Sequence, residues 1–471
     1  MFHIHLWCTA RIQRTLLSTQ YSECDMLQIQ EVTVKIHRIA AGLLATGLLA
    51  AGCATGGTGA GQRPAPAIAA STPAELSGEV KVWSFDVGAT ALKRLAPEFT
   101  KLHPKVKIDV TDVGYDNIYE KVTVGLQSGT GLPDVVHLED ERVAGYAKNF
   151  PNGLADLVPV AGKLKADFDP AKWRTASGEG GKLFAMPWDS APVGLFYRRD
   201  YFEQAGIKAD DIQTWDDLVK AGETLKAKTG KKLMVSDLGN SAPFFTTLLQ
   251  QQKQGMFVDG KIAVNTPAAV KALTLIKTLN EKGLLQNEKG WDGRVTATKE
   301  GKAAVAPTAV WWTGTLTSEM PELKGKFGVI PLPAFEAGGV RTSANGGSML
   351  AVTGQTKNQQ AAWAFVEFVT ANKDSQLSMM KQESLFPAYL PALADPYFSE
   401  PVEYFGGQPV NKIFADQVRD IPAVESTDDD AEASELLKKL LQRAVVGGKD
   451  PKAVLDEAAE QLASATKREI A

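Results

Sequence analysis

The chain has 471 residues, 44% of them hydrophobic, and carries 51 Lys and Arg against 55 Asp and Glu, a net charge of −4. That balance makes no electrostatic case for nucleic acid, and three cysteines with five histidines argue against a disulfide scaffold, a thiolate cluster or a His-rich zinc site. The length exceeds one ordinary hydrophobic core and favours two lobes.

Residues 1–31 precede any targeting signal and are expected to be an extension upstream of the true start, with translation beginning near Val32 or Val34. Residues 32–52 read as a signal peptide. Lys35 and Arg38 supply its basic region, and the apolar run from Ile39 to Ala51 is too short for a permanent membrane span. It closes on Leu49-Ala50-Ala51-Gly52-Cys53, small residues before a cysteine, as a lipoprotein peptidase requires, although Ala50 stands where Leu is more usual. Cys53 is therefore the expected lipidation site. It would then be the only cysteine left, with His103 and His137 the only histidines. Residues 53–78 join that cysteine to the folded region by a tether rich in Gly, Ala, Pro, Ser and Thr, which cannot bury enough surface to fold.

Strands and helices then alternate. Residues 79–84 (EVKVWS) read as a strand, 89–102 as a helix with Leu92, Leu95 and Phe99 on one face, 106–110 as a strand, 118–126 as a helix and 133–137 as a short buried strand. Short connections imply a parallel sheet with helices on both faces, and a ligand beyond the carboxyl ends of its strands. The loops there carry Asp86, Gly114-Tyr115 and Leu138-Glu139-Asp140-Glu141. A second α/β region follows. Extended segments 183–186 and 193–197 flank Pro187-Trp188-Asp189, and Thr214 caps a helix over 215–226 with Asp216 and Asp217 in its first turn. Helices are expected over 243–252, 267–279 and 361–370, strands over 302–310, 327–331 and 349–352, and two terminal helices over 431–446 and 451–470.

Five segments in this order resemble the extracellular solute-binding proteins of sugar ABC importers, in the maltose-, lactose- and arabinose-type branch. They are Ser128-Gly-Thr-Gly-Leu-Pro-Asp-Val-Val136; Gly181-Lys-Leu-Phe-Ala-Met-Pro-Trp-Asp189 with Leu195 to Gly206; Thr214-Trp-Asp-Asp-Leu218; Glu300-Gly-Lys-Ala-Ala304 leading to Trp311-Trp312; and Asn345-Gly-Gly-Ser348, with Tyr404-Phe-Gly-Gly-Gln408 beyond it. The resemblance implies a two-lobed periplasmic-binding-protein fold (type II-like), each lobe a mostly parallel sheet flanked by helices, with a hinge between. Crossings are expected near Ser190–Gly194 and Pro333–Gly346. Residues 79–190 and 334–360 are assigned to lobe 1, and 191–333 and 361–471 to lobe 2.

A sugar offers an apolar CH face to aromatic rings and hydroxyls to carboxylates and amides, with charge-assisted bonds the stronger. The candidate platforms are Trp188, Trp311 and Trp312, and the resemblance places a stacking Trp at 311. Asp86, Asp189, Glu139, Asp140, Glu141 and Arg142 are the polar candidates. Alternation along an extended segment leaves either Glu139 and Glu141, or Asp140 alone, facing the cleft. Tyr115 and Phe244 are further stacking candidates, Tyr404-Phe405 either closes the cleft or is core, and Gly346, Gly347 and Ser348 offer close backbone approach. The expected function is a lipid-anchored, monomeric, non-catalytic receptor on the outer face of the cytoplasmic membrane (the cell surface in a Gram-positive organism). It would pass a neutral mono- or oligosaccharide to the transmembrane subunits of an ABC permease, with no cofactor, metal or nucleic acid. Two other classes fit parts of the pattern. A carbohydrate hydrolase would need an acid–nucleophile carboxylate pair. An importer receptor for a non-sugar solute (an amino acid, metal or oxyanion) would need His or a carboxylate cage for a metal, and for an oxyanion a helix nest or arginine cluster, for which Arg198-Arg199 is the available pair.

Overall fold

The computed structural model describes residues 66–68 and 75–471. The expected extension 1–31, the signal peptide 32–52, Cys53 and most of the tether lie outside the described residues. In chain order the strands are β1 (Gly78–Ser84), β2 (Val106–Asp112), β3 (Val135–Glu139), β4 (Met186–Asp189), β5 (Val193–Arg198), β6 (Lys232–Ser236), β7 (Phe257–Val258), β8 (Lys261–Ile262), β9 (Leu285–Asn287), β10 (Ala303–Ala309), β11 (Phe327–Pro331) and β12 (Ser348–Val352). Two five-stranded sheets result, ordered β2-β1-β3-β12-β4 and β11-β5-β10-β6-β9, with β7 and β8 a small separate hairpin.

Each sheet has one strand that opposes the rest. β12 is antiparallel to both β3 and β4 in the first, and β5 is antiparallel to both β10 and β11 in the second. These are the strands the chain enters directly after passing between the sheets, by 189–193 for β5 and 332–347 for β12. A strand entered from the edge where ligands bind must run away from it, whereas a strand returning from a helix on the sheet's flank runs toward it. The carboxyl ends of the other strands thus gather at one edge of each sheet, beside the crossings.

Helices cover both sheets by the apolar periodicity their sequences carry. Asp86–Leu102 buries Leu92, Leu95 and Phe99 on the first sheet, and Trp215–Thr229 opens with a reciprocal cap, in which Thr214 Oγ1 accepts from Asp217 N and Asp217 accepts from Thr214 N. The expected lobe boundaries shift in two places. The helices Gln359–Thr370 and Lys373–Glu383, placed with lobe 2 by the sequence, pack on lobe 1, with Phe365, Val366, Val369 and Met379 in the core of the first sheet. Residues 334–344, placed with lobe 1, run along lobe 2: Ala334 bridges to Thr214, and Ser343 Oγ donates to Thr247 O.

A third passage follows Glu383. Phe386 and Ala388 lie alongside the first crossing, where Ser190 N donates to Phe386 O, and Gln408 then anchors to β11. A third core of Phe196, Trp312, Leu316, Leu377, Met380, Phe386, Phe405 and Phe414 forms there. Tyr404 and Phe405 belong to it, with Tyr404 Oη donating to Met320 O, so this pair is core. The terminal helices Asp430–Val445 and Pro451–Thr466 bury Leu437, Leu441, Leu455 and Leu462 in lobe 2. Among the described residues, no helix is long and apolar enough to cross a membrane.

Candidate functional site

Register brings the first lobe's candidates to one edge. Ser348, the first residue of β12, lies opposite Glu139 of β3 on one side and Asp189 of β4 on the other. Glu139 accepts from Tyr115 Oη at 3.1 Å and Tyr119 Oη at 2.7 Å. The two tyrosines stand four apart on the helix Tyr115–Ser128, which puts them on one face. Phe85 packs edge-on against Tyr115, with ring centroids 5.4 Å apart, and Arg142 lies 4.5 Å over Tyr119 and 3.4 Å from Glu141. Burial, reinforced by Glu139, pushes the half-exposed Tyr115 phenol up to about 12, so it is a neutral donor at any physiological pH. This edge is an aromatic wall carrying a carboxylate. Asp86 stands exposed beside it as the first residue of its helix, three residues earlier than the sequence placed the helix start.

Behind the wall lies a buried charge network. Lys172, 3% exposed, donates to both oxygens of Asp140 at 2.6 and 2.5 Å and reaches Gly346 O at 3.4 Å. Asp189 accepts from the backbone N and the hydroxyl of Ser348, and Asp169 accepts from Ser190 Oγ at 2.6 Å while capping the helix Pro170–Ala176. Burial raises the pKa of all three carboxylates, that of Asp140 to about 7. Gly347 completes the arrangement. Its φ is +100°, and a Cβ there would stand 2.0 Å from Lys172 Nζ and 2.8 Å from Asp189 O, so only glycine fits. Asp140 is thereby committed to Lys172, while Glu139 is held by the two tyrosines and Glu141 is half-exposed beside Arg142.

The second lobe contributes the end of β10. Trp311, two residues beyond it, donates its Nε1–H to Asn345 O at 3.0 Å, which ties the ring to the second crossing. Trp291, 49% exposed, packs against it with ring centroids 5.7 Å apart, and Arg294 joins the same cluster. The sequence reading passed over Trp291 and Arg294, because their helix Gly290–Lys299 has no apolar periodicity. The available signal was a tryptophan between Gly290 and Asp292, in a segment unlike its neighbours. The lobes also meet away from the crossings, where Lys148 pairs with Asp428 at 3.0 Å and Arg468 holds Asp428 at 2.6 Å.

Three expected site residues lie elsewhere. Trp188 is fully buried in β4 and donates to Met379 Sδ at 2.9 Å, because alternation turns it inward where Asp189 turns out. Trp312 is fully buried in the third core. Phe244 packs edge-on against Trp215 at the margin of the second core. An open groove lined by Lys93, Pro97, Lys105 and Ile108 lies at the amino-terminal end of β2, opposite the edge where these groups converge.

Buried His137 stacks on Phe85 with centroids 4.0 Å apart and shares a hydrogen bond with Ser84 Oγ at 2.9 Å, and burial lowers its pKa to about 3. An unfolded histidine binds its proton near 6.5. The folded pKa is depressed, so this contribution is complete above pH 6.5 and is lost as pH falls toward 3, about 5 kcal/mol in all. Denaturant unfolding from pH 7 to pH 4 should show that acid loss, and His137→Gln, which keeps a partner for Ser84, should flatten it. An equally steep loss in the variant would assign acid sensitivity to other groups.

A profile of bacterial extracellular solute-binding proteins matches residues 84–376. The chain is 31% identical over 374 residues to a lactose-binding protein of Rhizobium radiobacter, covering 76% of this chain and 86% of that protein. It is 28% identical over 402 residues to an arabinooligosaccharide-binding protein of Bacillus subtilis, covering 82% and 92%. Among solved structures, the GacH receptor of Streptomyces glaucescens superposes with a TM-score of 0.69 at 23% identity, over 84% of this chain and 100% of that one. The sugar-binding protein MalE of Xanthomonas citri superposes with a TM-score of 0.71 at 21% identity, over 82% and 96%.

Proposed function

The chain belongs to the bacterial extracellular solute-binding protein family, and from that premise we propose that it is the sugar-capturing receptor of an ABC importer. It holds a mono- or short oligosaccharide between its lobes and presents it to the permease. The family binds solutes and is not one of enzymes. Trp311 carries the reading: a partly exposed indole at the carboxyl end of β10, fixed by its hydrogen bond to Asn345 O in a crossing. Opposed to it in this scheme is the first-lobe wall of Tyr115, Tyr119, Glu139, Glu141 and Arg142. The indole packs on the CH face of a sugar ring, and the carboxylates and guanidinium bridge its hydroxyls. The lactose- and arabinooligosaccharide-binding relatives support a carbohydrate ligand.

Closure follows from the connections. Three adjacent chain passages form a short hinge, and a ligand touching both lobes favours the closed form by its extra affinity for it. A thermal-shift screen against sugars, amino acids and oxyanions tests the assignment. A bound sugar at a hundredfold excess over its Kd stabilises the chain by about 2.7 kcal/mol. Response to amino acids or oxyanions alone would overturn the carbohydrate reading.

In this scheme the receptor is a monomer held to the outer face of the membrane by lipid on Cys53. Cys53→Ala should move it from the detergent phase to the aqueous phase in Triton X-114 partitioning. Unchanged partitioning would remove the anchor from the scheme.

A further inference from the structure

Arg294 lies one helical turn after Trp291, with its guanidinium carbon 4.4 Å over the Trp312 ring and 5.8 Å over Trp311. The other arginines that are at least partly buried among the described residues have hydrogen-bonding or ionic partners, while Arg174 and Arg419 are exposed to solvent. Arg94 grips Glu383 through two N–H groups, Arg198 grips Asp200, Arg341 reaches the carbonyls of Leu332 and Ile212, and Arg468 reaches Asp428 and Asp429. Arg294 makes no side-chain hydrogen bond or ion pair with any described residue, only ring contacts. Nearby carboxylates are directed elsewhere: Asp237 accepts from Gly290 N, Glu288 pairs with Lys302, and Asp292 is exposed to solvent. Burial alone acts on the guanidinium, lowering its pKa to about 10, with no carboxylate opposing it.

A part-buried cation without a counter-charge carries a desolvation cost that the ring faces meet only in part, since a cation–π contact uses the charge and leaves the N–H donors open. The group whose geometry matches a free guanidinium is a carboxylate, held by two parallel charge-assisted bonds. Trp291 and Trp311 meet at 50° beside it, an apolar platform for the ring that would carry such a carboxylate. The first-lobe wall is acidic by contrast, so charge complementarity puts a ligand's anionic group at the second lobe and its hydroxyl donors at the first.

We infer that the sugar captured by this chain is acidic, a uronic acid or an oligosaccharide containing one, with its ring on Trp291 and Trp311 and its carboxylate paired to Arg294. The inference rests on the sugar-receptor reading and replaces the uncharged ligand expected from the sequence.

Isothermal titration of the full chain with matched pairs tests it: galacturonate against galactose, glucuronate against glucose, and α-1,4-digalacturonate against α-1,4-galactobiose. At least one uronate should bind tenfold or more tightly than its neutral partner. Arg294→Met should abolish that preference, bringing each uronate to the affinity of its neutral partner, and Arg294→Lys should keep part of it. A loss of packing on Trp312 would weaken both members of a pair equally, so the preference itself is the readout. Neutral members binding as tightly as the uronates, or Arg294→Met weakening both alike, would overturn the acidic ligand and leave the receptor standing. Failure of every carbohydrate to bind would overturn both.

Discussion

Lys172→Met should lower the stability of the chain by about 3–5 kcal/mol, the usual cost of removing one partner of a buried ion pair. Lys172 is the one cation among Asp140, Asp189 and Asp169 in this network, and its ammonium also reaches the carbonyl of Gly346 in the second crossing. Without it, Asp140 is left with a desolvated charge that it sheds only by taking up a proton. The pH dependence follows. Asp140 already titrates near 7 in the folded chain, above its unfolded value, so its favourable contribution is present below pH 4 and is lost as pH rises through 7. Removing the lysine raises that pKa further, so Lys172→Met should be less destabilised at pH 5 than at pH 8. Combining it with Asp140→Leu should recover much of the loss, because an apolar pair of similar volume avoids the desolvation cost. Denaturant unfolding at the two pH values measures all three. A loss below 1 kcal/mol in the single variant, unchanged by pH, would mean that water screens the network.

The strands and most helices were legible because each carries its own period, two for a half-buried strand and 3.6 for an amphipathic helix. The lobe assignment was less so. Residues 359–383 follow β12 without interruption, and nothing in their own pattern says on which sheet their apolar face rests. At the site, the sequence offered Glu139 with Glu141, or Asp140 alone, in the loop after a buried strand, and could not choose because the strand's last residue decides which side each faces. The Lys172–Asp140 pair was not legible, because 32 residues separate its members and an amphipathic lysine in a short helix reads as surface. Trp188 and Trp311 look alike as tryptophans near strand ends. What separates them is that Trp188 is the third residue of a strand and turns inward, while Trp311 comes two residues after one has ended. Trp291 and Arg294 were invisible for the opposite reason, since a helix whose face lines an open wall has no core to imprint a period on it.

Trp311→Ala should weaken sugar binding roughly 30- to 150-fold, about 2–3 kcal/mol, the range of an aromatic hot spot. The loss should be in affinity per folded molecule. Trp311 is partly exposed and tied by a single hydrogen bond to Asn345 O, so its removal leaves the three cores closed. The neighbouring Trp312→Ala makes the contrast. That ring is fully buried among Phe196, Leu316 and Met320 and backs Trp291, Trp311 and Arg294, so its removal should cost about 3–5 kcal/mol of stability, with a smaller loss of affinity in the molecules that remain folded than at Trp311. Calorimetric titration and denaturant unfolding of both variants separate the roles. Affinity lost at 312 and retained at 311 would move the platform into the third core and dissolve the site as drawn. Affinity lost at 311 alone would fix one wall of the cleft. Since that indole is anchored to the second crossing, ligand packed on it would also bear on the hinge, which is how occupancy would become closure.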